Sequence, residues 1–203
     1  MAQRAGPATV AKIDDPMRAF IAMTLPETVR ASLATLQRTL AESRADVKWV
    51  KPEHLHVTMK FLGEITEEQR RAVEAMLRQV ASSIQPFPLS LRELGAFPSM
   101  RAPRVIWVGI EEGKEPLVRL AEGIEREGAA AALQKEERPF AAHVTLGRVR
   151  SPKGHQALVQ ALSEATWTPP PPWTANHVTL YESVLSSSGP TYSSLAEVPV
   201  GSA

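Results

Sequence analysis

The chain has 203 residues, of which 43% are hydrophobic and 22% charged, and its net charge is +1. This length fits one domain or two small lobes, and the near-zero charge gives no global electrostatic case for binding long nucleic acids. A short or terminal nucleic-acid substrate stays compatible, because a small cleft needs only local positive charge. The absence of cysteine excludes disulfides, thiol nucleophiles and cysteine-based metal sites, and it fits a cytoplasmic location.

The first residues, MAQRAGPATVAKIDDP, mix small and charged side chains and contain no apolar segment of the kind found in secretory signals. No apolar run elsewhere approaches the roughly 20 residues that span a membrane, so we expect no membrane partner. We interpret residues 1–16 as a mobile extension and residues 17–200 as one folded domain, and we expect a cytoplasmic monomer.

The apolar spacing and the turn residues predict alternating groups of strands and helices. In chain order these are a strand at 18–25, a helix at 26–43, strands at 47–50 and 54–63, a helix at 66–84, strands at 87–97 and 104–110, a helix at 116–129, a strand at 140–149, a short helix at 155–165 and a hairpin at 177–200. Thr66 and Gln69 form a capping-box pattern at the start of the second helix. Neighbouring strands favour an α+β fold with antiparallel sheets, arranged as two similar lobes that face each other.

A His-Val-Thr triplet followed by an apolar residue occurs three times and uses three of the five histidines. The three copies begin at His56, His143 and His177. Because side chains alternate along a strand, His56, Thr58 and Lys60 should share one face, as should His143 and Thr145. The opposite faces are apolar and can be buried, so each strand would present an imidazole and a hydroxyl on its other side.

A pair of histidines suits acid–base catalysis. With an unperturbed pKa near 6.5, one ring can be neutral and the other protonated at physiological pH. The neutral ring removes a proton from a nucleophile and the charged ring protonates a leaving oxygen, each step worth on the order of 10² to 10⁴ in rate. Threonine hydroxyls can hydrogen-bond phosphoryl oxygens. The pattern therefore predicts metal-free phosphodiester cleavage, the alternative being a strand with its polar face in solvent.

The sequence also resembles a known family over residues 17–198. The segments that carry the resemblance occur in the family's order and are RAFIAMTLPETVRASL, KPEHLHVTMKFLGEITEEQ, RVIWVGI, RPFAAHVTLGRV and VTLYES. They are similar to the RNA 2′,3′-cyclic phosphodiesterases, also called 2′-5′ RNA ligase-like proteins, of the two-histidine phosphoesterase superfamily. FLGE after the first motif and GR after the second make the resemblance specific.

This resemblance implies a bilobal α+β fold in which the two motifs face each other across a central cleft. It implies hydrolysis of a 2′,3′-cyclic phosphate, on an RNA end or a cyclic nucleotide, to a 2′-phosphomonoester without metal or cofactor. By the same resemblance His56 is the proton donor, His143 is the acceptor that activates water, and Thr58 and Thr145 bind the phosphate. The joining of tRNA halves through a 2′-5′ linkage, the reverse chemistry, is a secondary expectation.

Four basic residues lie near the motifs or in a turn, and alternation alone does not determine which way they face. Arg148 follows Gly147 and would face away from the cleft by strict alternation, but a bulge at the glycine can turn it inward. We therefore include Arg148 among the residues that bind the substrate phosphate. Lys60 has the right parity for the cleft or its rim, and Arg101 and Arg104 form either a basic lip or a solvated turn.

Two further histidines have structural interpretations. His54 could join His56 and His143 in a metal site, but no carboxylate lies at a supporting spacing, so we interpret His54 as a strand-start residue. His177 is not followed by glycine, and the resemblance does not require a histidine there, so we interpret it as a structural or exposed strand residue. Aromatic side chains that could stack a base, but are more often found in cores, are Trp49, Phe97, Trp107 and Tyr181.

Two other functions stay compatible with these residues. One is a related phosphodiesterase that acts on another cyclic phosphate or on a 2′-5′ oligonucleotide. The other is a non-catalytic protein that binds RNA ends, although binding alone has no need of an acid–base pair.

Overall fold

A computed structural model describes residues 16–187 and 189–201. The extension expected at residues 1–16 therefore lies outside the described residues, except for Pro16. In chain order the elements are β1 (Met17–Thr24), α1 (Glu27–Ala41), β2 (Val47–Trp49), β3 (His56–Ile65), α2 (Glu67–Ser82), β4 (Phe87–Leu89), β5 (Leu91–Ser99), β6 (Ala102–Ile110), α3 (Lys114–Gly128), β7 (His143–Val149), α4 (His155–Glu164), β8 (Trp173–Ala175), β9 (His177–Ser186) and β10 (Gly189–Pro199).

The main sheet is antiparallel and has the strand order β10-β9-β1-β3-β7-β6-β5, with β2 also paired to β7. Its two halves meet where β3 lies beside β7, and the residue pair recorded between these strands is Val57 with Val144. The first lobe consists of β10, β9, β1 and β3, and the second of β5, β6, β7 and β2. The predicted bilobal α+β fold with antiparallel sheets is confirmed.

The helices bury their apolar faces against this sheet. Helices α2 and α3 pack against each other and against strands of the first lobe, whereas α1 contacts α4 and the second lobe. Helix α1 buries one side chain about every turn, as its spacing predicts; these residues are Val29, Leu33, Leu36 and Leu40. The capping box of Thr66 and Gln69 is present at the start of α2 and is confirmed. Within the described residues no helix is both long and apolar enough to cross a membrane.

The single strand expected at 87–97 is wrong, because the chain forms two strands there, separated at Ser90. The backbone of Ser90 pairs with Glu111 and Glu112, and its hydroxyl accepts a hydrogen bond from the Glu112 N–H at 3.0 Å. This contact sets β4 apart, and β4 pairs with β8 in a separate two-stranded sheet. The sequence analysis missed β8, since it is three residues long and follows a run of prolines.

Candidate active site

The two motifs meet where the lobes join. Val57 of the first motif lies opposite Val144 of the second in an antiparallel pair, so each histidine lies next to the threonine of the other motif. Both valines are fully buried, and alternation therefore turns the four polar side chains to the opposite face. The four side chains on that face are His56, Thr58, His143 and Thr145, and all of them line one cleft.

The cleft has a volume of about 310 Å³ and basic walls. Arg18 and Arg148 line it together with His54, and among the described residues that line it there is no aspartate or glutamate. Positive groups that are not neutralised locally raise the electrostatic potential inside a concave site. The cleft is therefore suited to an anionic group such as a phosphate.

Both motif strands carry a β-bulge immediately after the motif threonine. The pairing of β3 with β1 skips Met59, and the pairing of β7 with β6 skips Leu146. An extra residue reverses the alternation beyond it. Phe61 and Arg148 consequently face into the cleft, whereas Lys60 faces away from it.

The bulge in β7 is the one that the sequence predicted near Gly147. The carbonyl of Leu146 accepts hydrogen bonds from the Val50 N–H at 2.9 Å and from the Gln37 side-chain amide at 2.8 Å. A Cβ at Gly147 would lie 2.8 Å from the Trp49 ring. Only glycine allows this close approach, and the buried amide from α1 satisfies the bulged carbonyl, so the following arginine is held in the cleft.

The predicted position of Lys60 on the same face as the motif histidine is wrong. Its side chain is only 5% exposed, and its ammonium donates hydrogen bonds to the Glu125 carboxylate on α3 and to the Gln134 carbonyl. The physical reason is the bulge at Met59, which strict alternation does not include. Lys60 therefore belongs to the interior of the first lobe, behind the cleft.

Both motif histidines present the same ring nitrogen to the cleft. The Nδ1–H of His56 donates to the His54 carbonyl at 2.7 Å, and the Nδ1–H of His143 donates to the Ala141 carbonyl at 2.6 Å. Because a carbonyl can only accept, these contacts assign the proton of each neutral ring to Nδ1. Nε2 is left with its lone pair, and that of His56 accepts the Thr58 hydroxyl at 3.0 Å.

Burial depresses the pKa of both rings. The pKa of His56 is lowered to about 4, chiefly by burial, with Phe20 packed 4.9 Å from its ring. Its hydrogen bond to His54 opposes this shift, and the positive charges of His54 and His143 add to it. The pKa of His143 is lowered by burial and then by Arg148. Burial therefore favours the neutral form of both rings in the free protein.

Of the remaining polar candidates, one lines the cleft and three do not. His54 lines the cleft, where its ring lies 4.5 Å from that of Tyr192. Among residues 16–187 and 189–201 no three His, Cys, Asp or Glu side chains are grouped closely enough to hold a metal ion. His177 begins β9 and does not line the cleft. Arg101 and Arg104 are exposed on the β5–β6 hairpin and also lie outside its lining.

The four aromatic candidates differ in their surroundings. Trp49 packs against the core, and the Trp107 ring covers Gly95 closely enough that a Cβ there would lie 2.2 Å away. Tyr181 stacks on a neighbouring ring of β1. Phe97 is the exception to the core expectation, since it is 39% exposed and its ring lies 5.4 Å from that of His143.

The sequence analysis missed several residues that line the cleft, among them Arg18, Phe61 and Tyr192. Phe61 is 60% exposed, and its ring lies 6.3 Å from that of Phe20, which in turn packs on the first motif histidine. Tyr192 reaches the cleft because β10 pairs with β9. No local sequence pattern predicts these positions. For Phe61 the one available signal was an aromatic residue close to a predicted catalytic motif.

Comparisons with known proteins cover both lobes. The profile of the LigT like phosphoesterase family matches residues 23–107 and 108–192. The RNA 2′,3′-cyclic phosphodiesterase of Methanothermobacter thermautotrophicus is 33% identical over 179 residues, which are 88% of this chain and 96% of that protein. The crystal structure of TT0787 from Thermus thermophilus has a TM-score of 0.74 and 32% identity, covering 91% of this chain and 98% of its own. Escherichia coli LigT in complex with 3′-AMP has a TM-score of 0.70 and 26% identity, covering 92% and 99%.

Proposed function

This chain belongs to the LigT like phosphoesterase family, and from that premise we propose that it hydrolyses the 2′,3′-cyclic phosphate of RNA ends to a 2′-phosphomonoester. The observation that carries the proposal is the meeting of the two motifs. Two imidazole Nε2 atoms and two threonine hydroxyls face one basic cleft whose described lining contains no carboxylate. Such a site accommodates a phosphodiester and provides a proton acceptor and a proton donor for its cleavage.

In the proposed reaction a water molecule attacks the phosphorus. Nε2 of His143 takes a proton from this water as the new P–O bond forms. The bond between phosphorus and the 3′-oxygen breaks, and the protonated Nε2 of His56 gives its proton to that oxygen. The products are a 2′-phosphomonoester and a free 3′-hydroxyl, and the two histidines have exchanged protonation states.

Three side chains would hold the phosphoryl oxygens during this displacement. The hydroxyls of Thr58 and Thr145 donate hydrogen bonds to non-bridging oxygens, and the guanidinium of Arg148 adds a charge-assisted contact. All three lie in the cleft lining next to the histidines. Negative charge that develops on these oxygens in the transition state is stabilised by donors already in position.

Binding of the anion would also prepare the proton donor. In the free protein the pKa of His56 is about 4, so its protonated form is scarce at neutral pH. A negative charge within a few ångströms favours the charged form of a histidine. The bound phosphodiester would therefore raise the pKa of His56 and promote the uptake of the proton that the reaction consumes.

The orientation of the substrate follows from the donor role. The leaving 3′-oxygen faces His56, so the ribose and base extend along the first lobe. There Phe61, Leu185 and Tyr192 line the same side of the cleft as apolar or aromatic side chains. The base can stack on an exposed ring at this rim, while the attacking water approaches from the second lobe.

The test is hydrolysis of 2′,3′-cyclic AMP and of an RNA with a cyclic end, in the presence of a chelator. We expect 2′-AMP as the product from the nucleotide. Each of His56→Ala and His143→Ala should lose at least about a hundredfold in kcat. His177→Ala is a matched control, because it removes the same residue from the same triplet outside the cleft, and its kcat should be unchanged.

Three outcomes would contradict the proposal in different ways. Activity retained in both cleft variants would exclude the two-histidine mechanism. Abolition by the chelator would exclude a metal-independent reaction. Binding of the cyclic nucleotide without turnover by the unmodified protein would favour a non-catalytic binder of RNA ends.

A further inference from the structure

A buried ion pair lies behind β3, on the side of the strand away from the cleft. We propose that Lys60 and Glu125 are positioning residues for His143, acting through the segment that connects α3 to β7. The inference rests on the proposed function for its kinetic test, but the contacts that motivate it are independent of the substrate.

The pair holds the backbone of this segment at two points. The Lys60 ammonium donates to the Glu125 carboxylate and also to the Gln134 carbonyl at 2.8 Å. The other oxygen of Glu125 accepts the Glu136 N–H at 2.9 Å. One strand residue and one helix residue thus fix both a carbonyl and an amide of the same short stretch.

The segment leads directly to the second catalytic histidine. Residues 133–142 have no regular secondary structure, and they end at His143, the first residue of β7. The Ala141 carbonyl near the end of the segment accepts the Nδ1–H of His143 at 2.6 Å. The direction of this carbonyl sets the rotation of the imidazole, and therefore the direction in which Nε2 points.

The location of the pair gives it influence over both motifs. Lys60 lies two residues after Thr58, and α3 packs against β3 in the first lobe, whereas His143 belongs to the second lobe. Across the described residues the ladder between β3 and β7 contains the single pair Val57 with Val144. The ion pair is thus a second connection between the strand of the first motif and the chain that carries the second.

Hydrogen bonds from the ion pair hold the start of the segment, together with Leu133, which packs against the core. A cavity of about 440 Å³ opens beside the pair and is lined by Lys60, Glu125, Leu133 and Gln134 among others. Burial acts to raise the pKa of Glu125, but hydrogen bonds from Lys60 and from the Glu136 N–H outweigh it and lower the pKa. Removal of Lys60 would leave a carboxylate and a carbonyl without a strong donor, which is costly at a partly buried position.

The kinetic test compares Lys60→Met and Glu125→Gln with the unmodified enzyme on 2′,3′-cyclic AMP. We expect kcat to fall roughly tenfold while KM changes less than about twofold, because misplacement of a reacting group affects the chemical step more than binding. Lys60→Arg keeps the charge and the donors and should recover most of kcat. Glu115→Gln is the control, since it removes an exposed ion pair with Arg119 from the same helix.

A second measurement follows the imidazole Nδ1–H protons by nuclear magnetic resonance without substrate. In Lys60→Met and Glu125→Gln the Nδ1–H of His143 should exchange with solvent at least about tenfold faster, whereas that of His56 stays unchanged. Glu125→Gln, a volume-conserving change at a partly exposed residue, carries both tests if Lys60→Met does not fold.

Unchanged kcat with unchanged exchange at His143 would overturn the inference. Equal acceleration at both histidines would also overturn it, since that result indicates general loosening of the fold. If the unmodified protein does not hydrolyse cyclic phosphates, the proposed function fails. The difference in exchange between the two rings still decides the positioning role in that case.

Discussion

The two motif strands, β3 and β7, have the same local backbone pattern but place different side chains in the cleft. Each begins with a histidine, buries the next residue, presents a threonine, and then bulges at the following apolar residue. The side chain that the bulge turns into the cleft is Phe61 in β3 and Arg148 in β7. A ring that is 60% exposed therefore stands where the other strand has a guanidinium.

This difference shows how a nearly symmetric frame can support an asymmetric reaction. Two equal histidines would have no preferred direction of proton transfer. Under the proposed function, the apolar side chain on the first lobe would favour the nucleoside there, and the arginine on the second lobe would favour the phosphate. The third residue after each threonine would then set the orientation of the substrate, and this orientation would give the two histidines different roles.

Of the two side chains that follow the bulges, the arginine should contribute more to substrate binding. We expect Arg148→Ala to raise KM for 2′,3′-cyclic AMP between about tenfold and a hundredfold, since a hydrogen bond to a charged group contributes roughly 1.5–3 kcal/mol. Inhibition by inorganic phosphate should weaken in proportion. Steady-state kinetics with phosphate as competitor measures both.

Arg150→Ala is the matched control for this prediction. Arg150 lies two residues further along the chain and pairs with Asp46 on the outside of the second lobe. An equal loss in Arg150→Ala, or unaltered inhibition by phosphate in Arg148→Ala, would contradict a direct contact between Arg148 and the phosphate.

Loss of the aromatic ring should have a smaller effect that depends on the base. Phe61→Ala should raise KM for 2′,3′-cyclic AMP about tenfold, because a stacked base contributes roughly 1–3 kcal/mol. A cyclic glycerol phosphate, which carries no base, should be hydrolysed equally by both proteins. Val184→Ala removes a similarly exposed apolar side chain that does not line the cleft, and it serves as control. A KM that changes equally for both substrates would exclude stacking on Phe61.

The pH dependence of kcat/KM tests the protonation states of the two motif histidines. In the proposed mechanism the productive form has one ring protonated and one neutral, and its population is greatest between the two pKa values. The pKa of His56 in the free protein is about 4 and that of His143 is lowered from 6.5, so kcat/KM should be highest below pH 6.5. Measurement with a cyclic nucleotide between pH 4 and 8 checks this, and an optimum above pH 7 would be inconsistent with it.

The free energy of unfolding should also depend on pH through His56. The folded pKa of His56 lies below the unfolded value near 6.5, so the unfolded chain takes up this proton first as the pH falls. The free energy of unfolding should therefore decline from about pH 6.5 to about pH 4. Urea unfolding measures this free energy, and across this pH range it should change less in His56→Gln than in the unmodified protein. Parallel curves would indicate that His56 does not carry the shift.

Much of the site follows from local sequence, and the two errors on the first motif strand, at Lys60 and Phe61, have one origin. Alternation predicted correctly that the histidine and threonine of each motif share a face, because this rule needs only extended backbone. The same rule assigned Lys60 to the cleft and left Phe61 out, since the pairing with β1 inserts Met59 as an extra residue. Arg148 was recovered because Gly147 signals a bulge in the sequence, whereas nothing in the letters around Met59 does.

The sequence was sufficient to predict most of the strands and helices, the faces of the two motif strands up to their threonines, and the pair of histidines suited to acid–base chemistry. It did not predict β8 or the separation of β4 from β5. Spacing and propensity act over a few residues, so they can be read without the fold. Only the packed fold shows that Phe61 follows the bulge at Met59 into the cleft, how far burial lowers the pKa of His56, and which partner Lys60 finds in α3. These properties depend on strand register, on solvent exclusion and on groups distant in the chain, and they exist only once the two lobes have packed.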